Sequence, residues 1–381
     1  MQQDSVRAVP GTAVNPQAEA LWLLPSAGIV LLVWIAASIA AELNGISALP
    51  LAACYAVDAM RGMLMTLVLV LGYEGMHAAF RRDPAPAQRL VAALSRNLRT
   101  PWLLAAALGP LVLLPVLCGA FGTLKVLLPH YLPFAYDHLF AELDRALFLG
   151  TDPWRVSHAI FGGTTATIML DNIYTAWLPL LPLAIGSFAL VAPRPERARF
   201  ILAMILTWAL LGVAGAWAGS SAGPIFLDLL GHPDAARYQI LMRDLAAADA
   251  VDQPHGLTAL RWRMVLWNAY VERNLSFAMG ISAMPSMHNA ITMLYALAAF
   301  RLNKWLGIAA AAYAATIFIG SIHLAWHYAV DGIVGGGAVI LIWFGVDRYL
   351  KACGYDRLVA AAAPELSGPA APANEAAMRS I

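Results

Sequence analysis

Long apolar segments separated by short polar ones run along most of the chain. Eight of them approach the roughly 20 residues that a helix needs to cross about 30 Å of hydrocarbon. They cover residues 23 to 43, 51 to 73, 101 to 128, 166 to 191, 200 to 219, 286 to 300, 306 to 323 and 328 to 347. The pattern predicts an all-α polytopic membrane bundle of about eight transmembrane helices, the sixth and seventh being the shortest.

Composition agrees with a membrane protein and excludes several other classes. Hydrophobic residues make up 60% of the chain and charged residues 12%, with a formal net charge of +1. Since no basic stripe is interleaved with aromatic residues, nucleic acid is not an expected partner. The cysteines Cys54, Cys118 and Cys353 lack paired spacing, which argues against a disulfide framework or a zinc motif.

Basic residues in the short loops predict how the chain crosses the membrane. The loops after the second, fourth and sixth spans, and the segment after the eighth, carry arginine and lysine, and such loops tend to stay in the cytoplasm. We therefore expect an integral protein of a bacterial inner membrane with both termini in the cytoplasm. The periplasmic side then receives two longer connections, roughly 129 to 165 and 220 to 285.

The stretch "AMPSMHNAIT", residues 283 to 292, opens the sixth span from that outer side. Pro285 suits the first turn of a helix, where the backbone amides lack intrahelical partners. Those amides and the positive end of the helix dipole form an anion site, to which Ser286 adds a hydroxyl donor. The stretch therefore predicts phosphate binding beside His288.

A second histidine lies in "SIHLAWHYAVDGIVGG", where His327 and Asp331 are four residues apart and share a helical face. Spans six and seven each cross the membrane once, which brings His288 and His327 to the same face. Asp331 can accept a hydrogen bond from one ring nitrogen and make the other a better nucleophile. These residues predict attack by His327 on a phosphoryl group, with His288 as the general acid and then base. That scheme needs neither a metal nor a cofactor.

These motifs resemble those of the type 2 phosphatidic acid phosphatase superfamily of membrane lipid phosphatases and phosphotransferases. Its second signature, Pro-Ser-x-His, matches residues 285 to 288, and the His-x-x-x-Asp of its third matches His327 and Asp331. The chain lacks the Lys-x6-Arg-Pro first signature, and Gly320 and Ser321 stand where the third signature has Ser-Arg. Two phosphate-binding cations are therefore missing from their usual places.

The pattern is similar to the branch of that superfamily that contains inositol phosphorylceramide synthase. The branch shares His327, Tyr328 and Asp331, and the segments "SSAGPIF" and "LDRALFLGTDPW" resemble its loops. The similarity covers approximately residues 130 to 347 and is strongest in the last 65. It implies an inositolphosphotransferase of sphingolipid metabolism that acts on membrane lipid substrates, with no obligate protein partner inferred.

A phosphoryl transition state needs positive or hydrogen-bonding groups around its oxygens. Besides Ser286, the candidate phosphate- and substrate-binding residues on the outer side are His323, Arg263, Arg273, Arg145, Asp171 and Tyr174. For each arginine the alternative is a solvated or headgroup-facing charge. For Asp171 and Tyr174, which lie in "DNIYTAW", the alternatives are a helix cap and an interfacial anchor.

The spans and motifs divide the chain into four parts. Residues 1–22 form a cytoplasmic segment, 23–129 accessory spans, 130–350 the catalytic membrane domain, and 351–381 an Ala- and Pro-rich tail expected to be disordered. The first apolar run is too long for a cleavable signal and is interpreted as a retained span. The glycines at 335 to 337 lack the flanking residues of a phosphate loop and indicate close helix packing.

Four functions remain open on the sequence. They are a lipid phosphotransferase, a lipid phosphatase that uses water as acceptor, a metal-dependent membrane hydrolase and a transporter. A metal-dependent hydrolase would use His288, His323, His327 and Asp331 as metal ligands. Transporters usually show related halves, and we find no internal repeat here.

Overall fold

A computed structural model describes residues 16–81, 100–272 and 279–361, in which every regular element is a helix. The helices are α1 Pro16–Leu43, α2 Leu49–Arg81, α3 Pro101–Leu108, α4 Pro110–Tyr131, α5 Asp137–Leu147, α6 Pro153–Phe161, α7 Thr164–Thr175, α8 Trp177–Leu190, α9 Arg194–Thr207, α10 Ala235–Val251, α11 Thr258–Val271, α12 Met287–Leu302, α13 Lys304–His323, α14 Ala329–Ala352 and α15 Tyr355–Ala361. Helix α9 continues through a π-helical segment, Trp208–Gly215, and the single turn Ala216–Ala218.

Seven helical stretches in the described ranges are long and apolar enough to cross a membrane. They are Ala18–Leu43, Leu49–Tyr73, Pro101–Tyr131, Thr164–Leu190, Arg194–Ala218, Lys304–His323 and Ala329–Ala352. They confirm the predicted all-α membrane bundle and correspond to seven of the eight predicted spans. The chain is an integral membrane protein.

The remaining predicted span, the sixth, is α12, which has only 16 residues and is therefore about 24 Å long. The chain reaches it through a non-helical segment in which Ile281, Ala283 and Met284 are buried. The Ala283 amide donates to the Ser221 carbonyl at 2.9 Å. Irregular backbone at membrane depth is stable only where the protein itself satisfies its polar groups. Here another loop does so, and a shorter helix suffices.

Ion pairs hold one end of the bundle together. They join Arg194 to Glu19, Arg199 to Asp347 and Asp356, and Arg301 to Glu196. The starts of α1 and α9 therefore lie at the same end as the last turns of α12 and α14. The predicted topology requires this arrangement, because it places these basic segments on one side of the membrane.

The helical part of the chain extends further toward the C-terminus than the sequence predicted. Residues 351–361 were predicted to belong to the disordered tail, but they finish α14 and form α15. The Tyr355 ring is fully buried, and its hydroxyl donates to the Arg194 carbonyl at 3.2 Å. Packing of this aromatic side chain explains the extra helix. The remainder of the predicted tail, like residues 1–15 and 82–99, lies outside the described residues.

The opposite end is capped by the two long connections, which contain α5, α6, α10 and α11. Helix α5 buries Asp137, Phe140, Ala141 and Asp144 along one face. That spacing is the stripe of an amphipathic helix lying on a core, but two of its four buried positions are carboxylates. These carboxylates must have partners inside the fold.

Close packing of α14 is found at one of the three consecutive glycines. A Cβ on Gly335 would lie 2.7 Å from the Ser286 carbonyl oxygen, just before α12. One on Gly336 would make an ordinary contact at 3.7 Å with Met293, and one on Gly337 would meet nothing within 4 Å. Of these three glycines, only Gly335 therefore limits how closely α14 approaches the start of α12.

We expect Gly335→Ala to lower the melting temperature in detergent, because the new methyl overlaps backbone that cannot move freely. Overpacking of this kind costs about 1 to 3 kcal/mol. Gly337→Ala, two residues along the same helix, is the matched control and should leave stability unchanged or raised by about 0.5 to 1 kcal/mol. Equal melting temperatures for the two variants would contradict the packing described here.

Candidate active site

The start of α12 is built around Ser286. As the residue before the helix, Ser286 accepts hydrogen bonds through Oγ from the Asn289 backbone amide at 3.4 Å and from its Nδ2 at 2.9 Å. The Ser286 amide donates to the Asp331 carbonyl at 3.1 Å. The amides of Met287 and His288 belong to the first helical turn and have no intrahelical partner. They are the amides to which the sequence analysis assigns the binding of an anion.

His327 is held by Asp331. The Nδ1 of His327 lies 3.3 Å from Asp331 Oδ2, which also accepts from the Tyr328 amide at 3.0 Å. Asp331 is fully buried and His327 is 7% exposed. Since a carboxylate only accepts hydrogen bonds, Nδ1 carries the proton and Nε2 keeps its lone pair. This is the ring nitrogen that can act as a nucleophile.

The two histidines predicted to meet do lie together. Their ring centroids are 5.8 Å apart. The His288 ring also packs against Tyr174 and Trp177, with centroid distances of 4.7 and 4.4 Å. The buried Tyr174 hydroxyl has no hydrogen-bond partner in the part of the chain that the structure describes, which leaves it available to a bound molecule. Tyr174 and Trp177 thus form an aromatic wall beside His288.

Asp171 has a different surrounding from Tyr174, although both lie in α7. Its two oxygens accept from the amides of Thr258 and Ala259 at 2.7 and 2.9 Å. These are the first amides of α11, so Asp171 caps that helix and ties it to α7. Of the two residues in "DNIYTAW", the structure brings only Tyr174 against His288.

His323 joins a separate buried cluster. Its Nδ1 lies 3.3 Å from Ser157 Oγ, its Nε2 lies 3.0 Å from Thr167 Oγ1, and its ring stacks on His158 at 3.8 Å. His323 thus points toward α6 and α7, although it is one helical turn before His327 in the sequence. Within residues 16–81, 100–272 and 279–361, no group of three or more His, Cys, Asp or Glu side chains is arranged to hold a metal ion.

The predicted arginines have other partners. Arg263 donates through Nε to the Ile225 carbonyl at 2.7 Å and through Nη2 to both Asp228 oxygens at 2.6 and 2.5 Å. Arg145 is exposed and donates to the Gly150 carbonyl at 3.3 Å, just beyond the end of its own helix. Arg273 lies outside the described residues. The charge of Arg263 is therefore balanced within the outer connection.

The carboxylates of α5 hold the backbone around His327, a role that the sequence did not indicate. Asp144 accepts from the Ala329 and Val330 amides at 2.8 and 2.9 Å and so caps α14. Asp137 accepts from the Tyr328 hydroxyl at 3.0 Å. The two acids are seven residues apart and therefore lie on the same face of the helix. Acidic residues on an otherwise apolar face are the sequence feature that could have indicated buried carboxylates here.

The loop "SSAGPIF" packs against the loop that carries His327. Asp137 accepts from the Gly223 amide at 2.9 Å, and the Ile225 amide donates to the Ala325 carbonyl at 2.8 Å. Gly223 has a φ of 91°, and a Cβ there would lie 2.6 Å from the Trp326 carbonyl oxygen. Ala325 has a φ of 64°, which is unfavourable for a residue with a Cβ. Contacts from the neighbouring loop stabilise this turn.

Asp144 makes the stability of this region depend on pH. Burial raises its pKa to about 7, against the opposing effect of the two backbone amides. An aspartate in an unfolded chain titrates near pH 3.9. Between about pH 4 and pH 7 the folded protein therefore binds more protons than the unfolded chain, and the contribution of Asp144 to stability falls as pH rises through that window.

The melting temperature of wild type minus that of Asp144→Asn should therefore decrease as the pH rises from 4.5 to 7.5. Thermal unfolding in detergent at several pH values measures it. Asp244→Asn, at a half-exposed carboxylate on α10, is the control and should run parallel to wild type. A wild-type advantage that does not fall as the pH rises would show that Asp144 is ionised throughout this range.

Residues 138–345, which run from α5 into α14 and contain both histidines and Asp331, match the family model described as the PAP2 superfamily. No curated protein and no solved structure gives a match. The matched segment covers more than half of the 381 residues and agrees with the superfamily expected from the two motifs. The chain therefore belongs to the PAP2 superfamily, whose members are phosphatases or phosphotransferases acting on phosphate esters.

Proposed function

We propose that the protein is a lipid phosphotransferase that moves a phosphorylated headgroup from one membrane lipid to another through a phosphohistidine on His327. One observation carries the proposal. The His327 ring is oriented by buried Asp331, and the His288 ring lies 5.8 Å from it at the start of α12. A nucleophile, a proton carrier and helix amides for an anion thus adjoin one another.

The first step forms the covalent intermediate. Nε2 of His327 attacks the phosphorus of the donor lipid, and the bond from phosphorus to the donor's alcohol oxygen breaks. The bound phosphate anion favours the protonated form of His288, which gives its proton to that oxygen, so the donor leaves as a neutral alcohol. Asp331 stabilises the positive charge that develops on the His327 ring.

The second step passes the headgroup to the acceptor. The acceptor's hydroxyl oxygen attacks phosphorus, the bond from phosphorus to Nε2 breaks, and His288 takes the hydroxyl proton. The enzyme returns to its starting protonation state. The unpartnered hydroxyl of Tyr174, beside His288, is positioned to bind a polar group of the incoming alcohol.

Charge supports a phosphodiester donor. A phosphodiester carries one negative charge, whereas a phosphate monoester carries about 1.5 to 2 at pH 7. Of the predicted cations in the described residues, Arg263 pairs with Asp228 and Arg145 lies exposed at the end of its helix. Because a buried charge is costly without a counter-charge, a site with few cations accommodates a single negative charge better. Phosphoinositol is the first headgroup to test, given the resemblance at His327, Tyr328 and Asp331.

Hydrolysis is the second candidate function. Water in place of the acceptor alcohol would complete the second step and make the protein a lipid phosphatase, as other members of the superfamily are. The same three residues would carry both reactions. Only the identity of the product separates them.

Purified protein in lipid should transfer the headgroup of a labelled phosphodiester lipid to an added lipid alcohol, with mass spectrometry identifying the product. His327→Ala should lower this rate by at least about 1,000-fold, because the nucleophile is lost. The wild type should yield a trapped phosphate that is labile in acid and stable in base. His255→Ala, at an exposed histidine outside the site, should behave as wild type.

Two results would change the assignment. A product consisting of the free phosphorylated headgroup or inorganic phosphate, even with acceptor present, would identify a phosphatase. Near-normal turnover by folded His327→Ala would remove His327 as the nucleophile and with it the covalent mechanism.

We also propose that the site opens to the periplasm of a bacterial inner membrane and that both termini are cytoplasmic. The arginine-containing loops support this orientation, since the ion-paired end of the bundle carries them. His288 and His327 begin or precede helices that run toward that end, which places them at the other face.

In a background lacking the three native cysteines, a cysteine at Ser282 should react in intact cells with a membrane-impermeant thiol reagent. A cysteine at Asn303, at the turn between α12 and α13, should react only after the membrane is opened. The reverse labelling pattern would place the chemistry in the cytoplasmic leaflet and leave the arrangement of the catalytic residues unaffected.

A further inference from the structure

Lys125 lies inside a membrane-spanning segment, six residues before the end of α4. Its side chain is half-buried. The contact that its Nζ makes in the described part of the chain is with the Phe121 ring, 5.8 Å from the centroid, and it forms no ion pair with a carboxylate there. An ammonium group at membrane depth is costly and is kept where it has a function.

The surroundings of Lys125 place it beside the proposed site. Gly280 precedes the Pro285–His288 motif, and a Cβ on Gly280 would lie 3.1 Å from the backbone and Cγ of Lys125. The segment that leads into α12 is thus packed directly against α4 at this lysine.

The other cations at this end have partners or face outward. Arg155, Arg237, Arg243 and Arg263 each pair with a carboxylate. Arg145 and Arg261 are exposed. Among the residues that the structure describes at this end, Lys125 is therefore the one cation that is neither exposed nor paired with a carboxylate.

The position at which other members carry the arginine of the third signature cannot supply this charge. Ser321 is fully buried there, accepts a hydrogen bond from Asn289 Nδ2 at 3.2 Å and donates to the Phe318 carbonyl at 2.8 Å. Its surroundings have closed around a small neutral side chain. A phosphate bound between the histidines needs a cation from another element.

We propose that Lys125 is that cation and binds a non-bridging phosphate oxygen of the lipid substrate. The proposal rests on the phosphoryl-transfer function above. A phosphate bound between Lys125 and His288 is attracted to the ammonium group of Lys125 and accepts a hydrogen bond from the His288 ring. One lysine also matches the single negative charge of a phosphodiester.

The assignment gives α4 a part in the reaction. Lys125 lies before residue 138, outside the segment that matches the superfamily, and within residues 23–129, which we expected to be accessory. The added spans then do more than anchor the catalytic domain, because one of them completes its phosphate site.

Two measurements test the proposal on wild type, Lys125→Met, Lys125→Arg and the control Lys304→Met, which alters an exposed lysine at the opposite end. The first is kcat/KM for headgroup transfer. We expect Lys125→Met to lower it by about 100-fold, as loss of one group that stabilises transition-state charge does. Lys125→Arg should retain activity within about tenfold of wild type, and Lys304→Met should match wild type.

The second measurement needs no turnover. Inorganic phosphate should raise the melting temperature of wild type, Lys125→Arg and Lys304→Met by selective binding to the folded state. It should not raise that of Lys125→Met. If Lys125→Met does not fold, Lys125→Gln, which keeps polarity and removes the charge, takes its place with the same expectation.

A phosphate shift that persists in folded Lys125→Met, or activity within about threefold of wild type, would overturn the proposal. So would equal losses of activity in Lys125→Met and Lys125→Arg with phosphate binding intact, since that pattern indicates packing alone. If wild type processes no lipid phosphate at all, the proposed function fails, while a phosphate shift that depends on Lys125 still supports the binding site.

Discussion

A fully buried carboxylate, Asp331, is the constraint on which the site depends. A buried carboxyl group needs hydrogen-bond donors in place of the water it has lost, and Asp331 Oδ2 has two, the Tyr328 amide and the His327 ring. Those two contacts fix the turn between α13 and α14 and set which ring nitrogen of His327 remains free. The Ser286 amide donates a hydrogen bond to the Asp331 carbonyl, so the same residue also holds the start of α12 in place. The proposed nucleophile, the acid that orients it and the helix start proposed to bind the anion are therefore held together by one residue.

This unit would not hold its shape without the outer connection. At the membrane surface the turn before α14 exposes backbone donors that must be paired, and the paired acids of α5 provide the acceptors. Asp144 takes the first amides of α14 and Asp137 takes Gly223 and the Tyr328 hydroxyl. An interfacial helix far away in sequence thus fixes both loops that border His327. The pKa of Asp144 is raised because burial removes the water that would solvate the charged carboxylate, and protein amides are its hydrogen-bond donors instead.

Local patterns predicted much of this, because hydrophobic periodicity and motif spacing act over a few turns. Seven spans and the meeting of His288 with His327 follow from them. What they could not predict depends on partners distant in sequence. Asp144 bonds to amides 185 and 186 residues away, and Asp171 caps a helix 87 residues later. Spacing of one turn suggested that His323 would face the site, but α13 ends there, and the left-handed turn at Ala325 sends the chain in another direction. The sequence also could not show that α12 is short, because a buried irregular segment and a buried helix are equally apolar.

Sequence similarity separates the catalytic core from the added helices, but electrostatic interactions act across that boundary. A phosphoryl site in a membrane needs balanced charge, and charge balance is a property of everything within several ångströms, whichever segment supplies it. When the cation of a motif is replaced by a buried serine, the lost charge must be recovered from a neighbouring helix, or the anion that the site binds must carry less charge. The proposed role of Lys125 on α4 and the proposed phosphodiester substrate, with its single negative charge, would satisfy both conditions together. A segment with no resemblance to the family can in this way determine which substrate the family's own motif accepts.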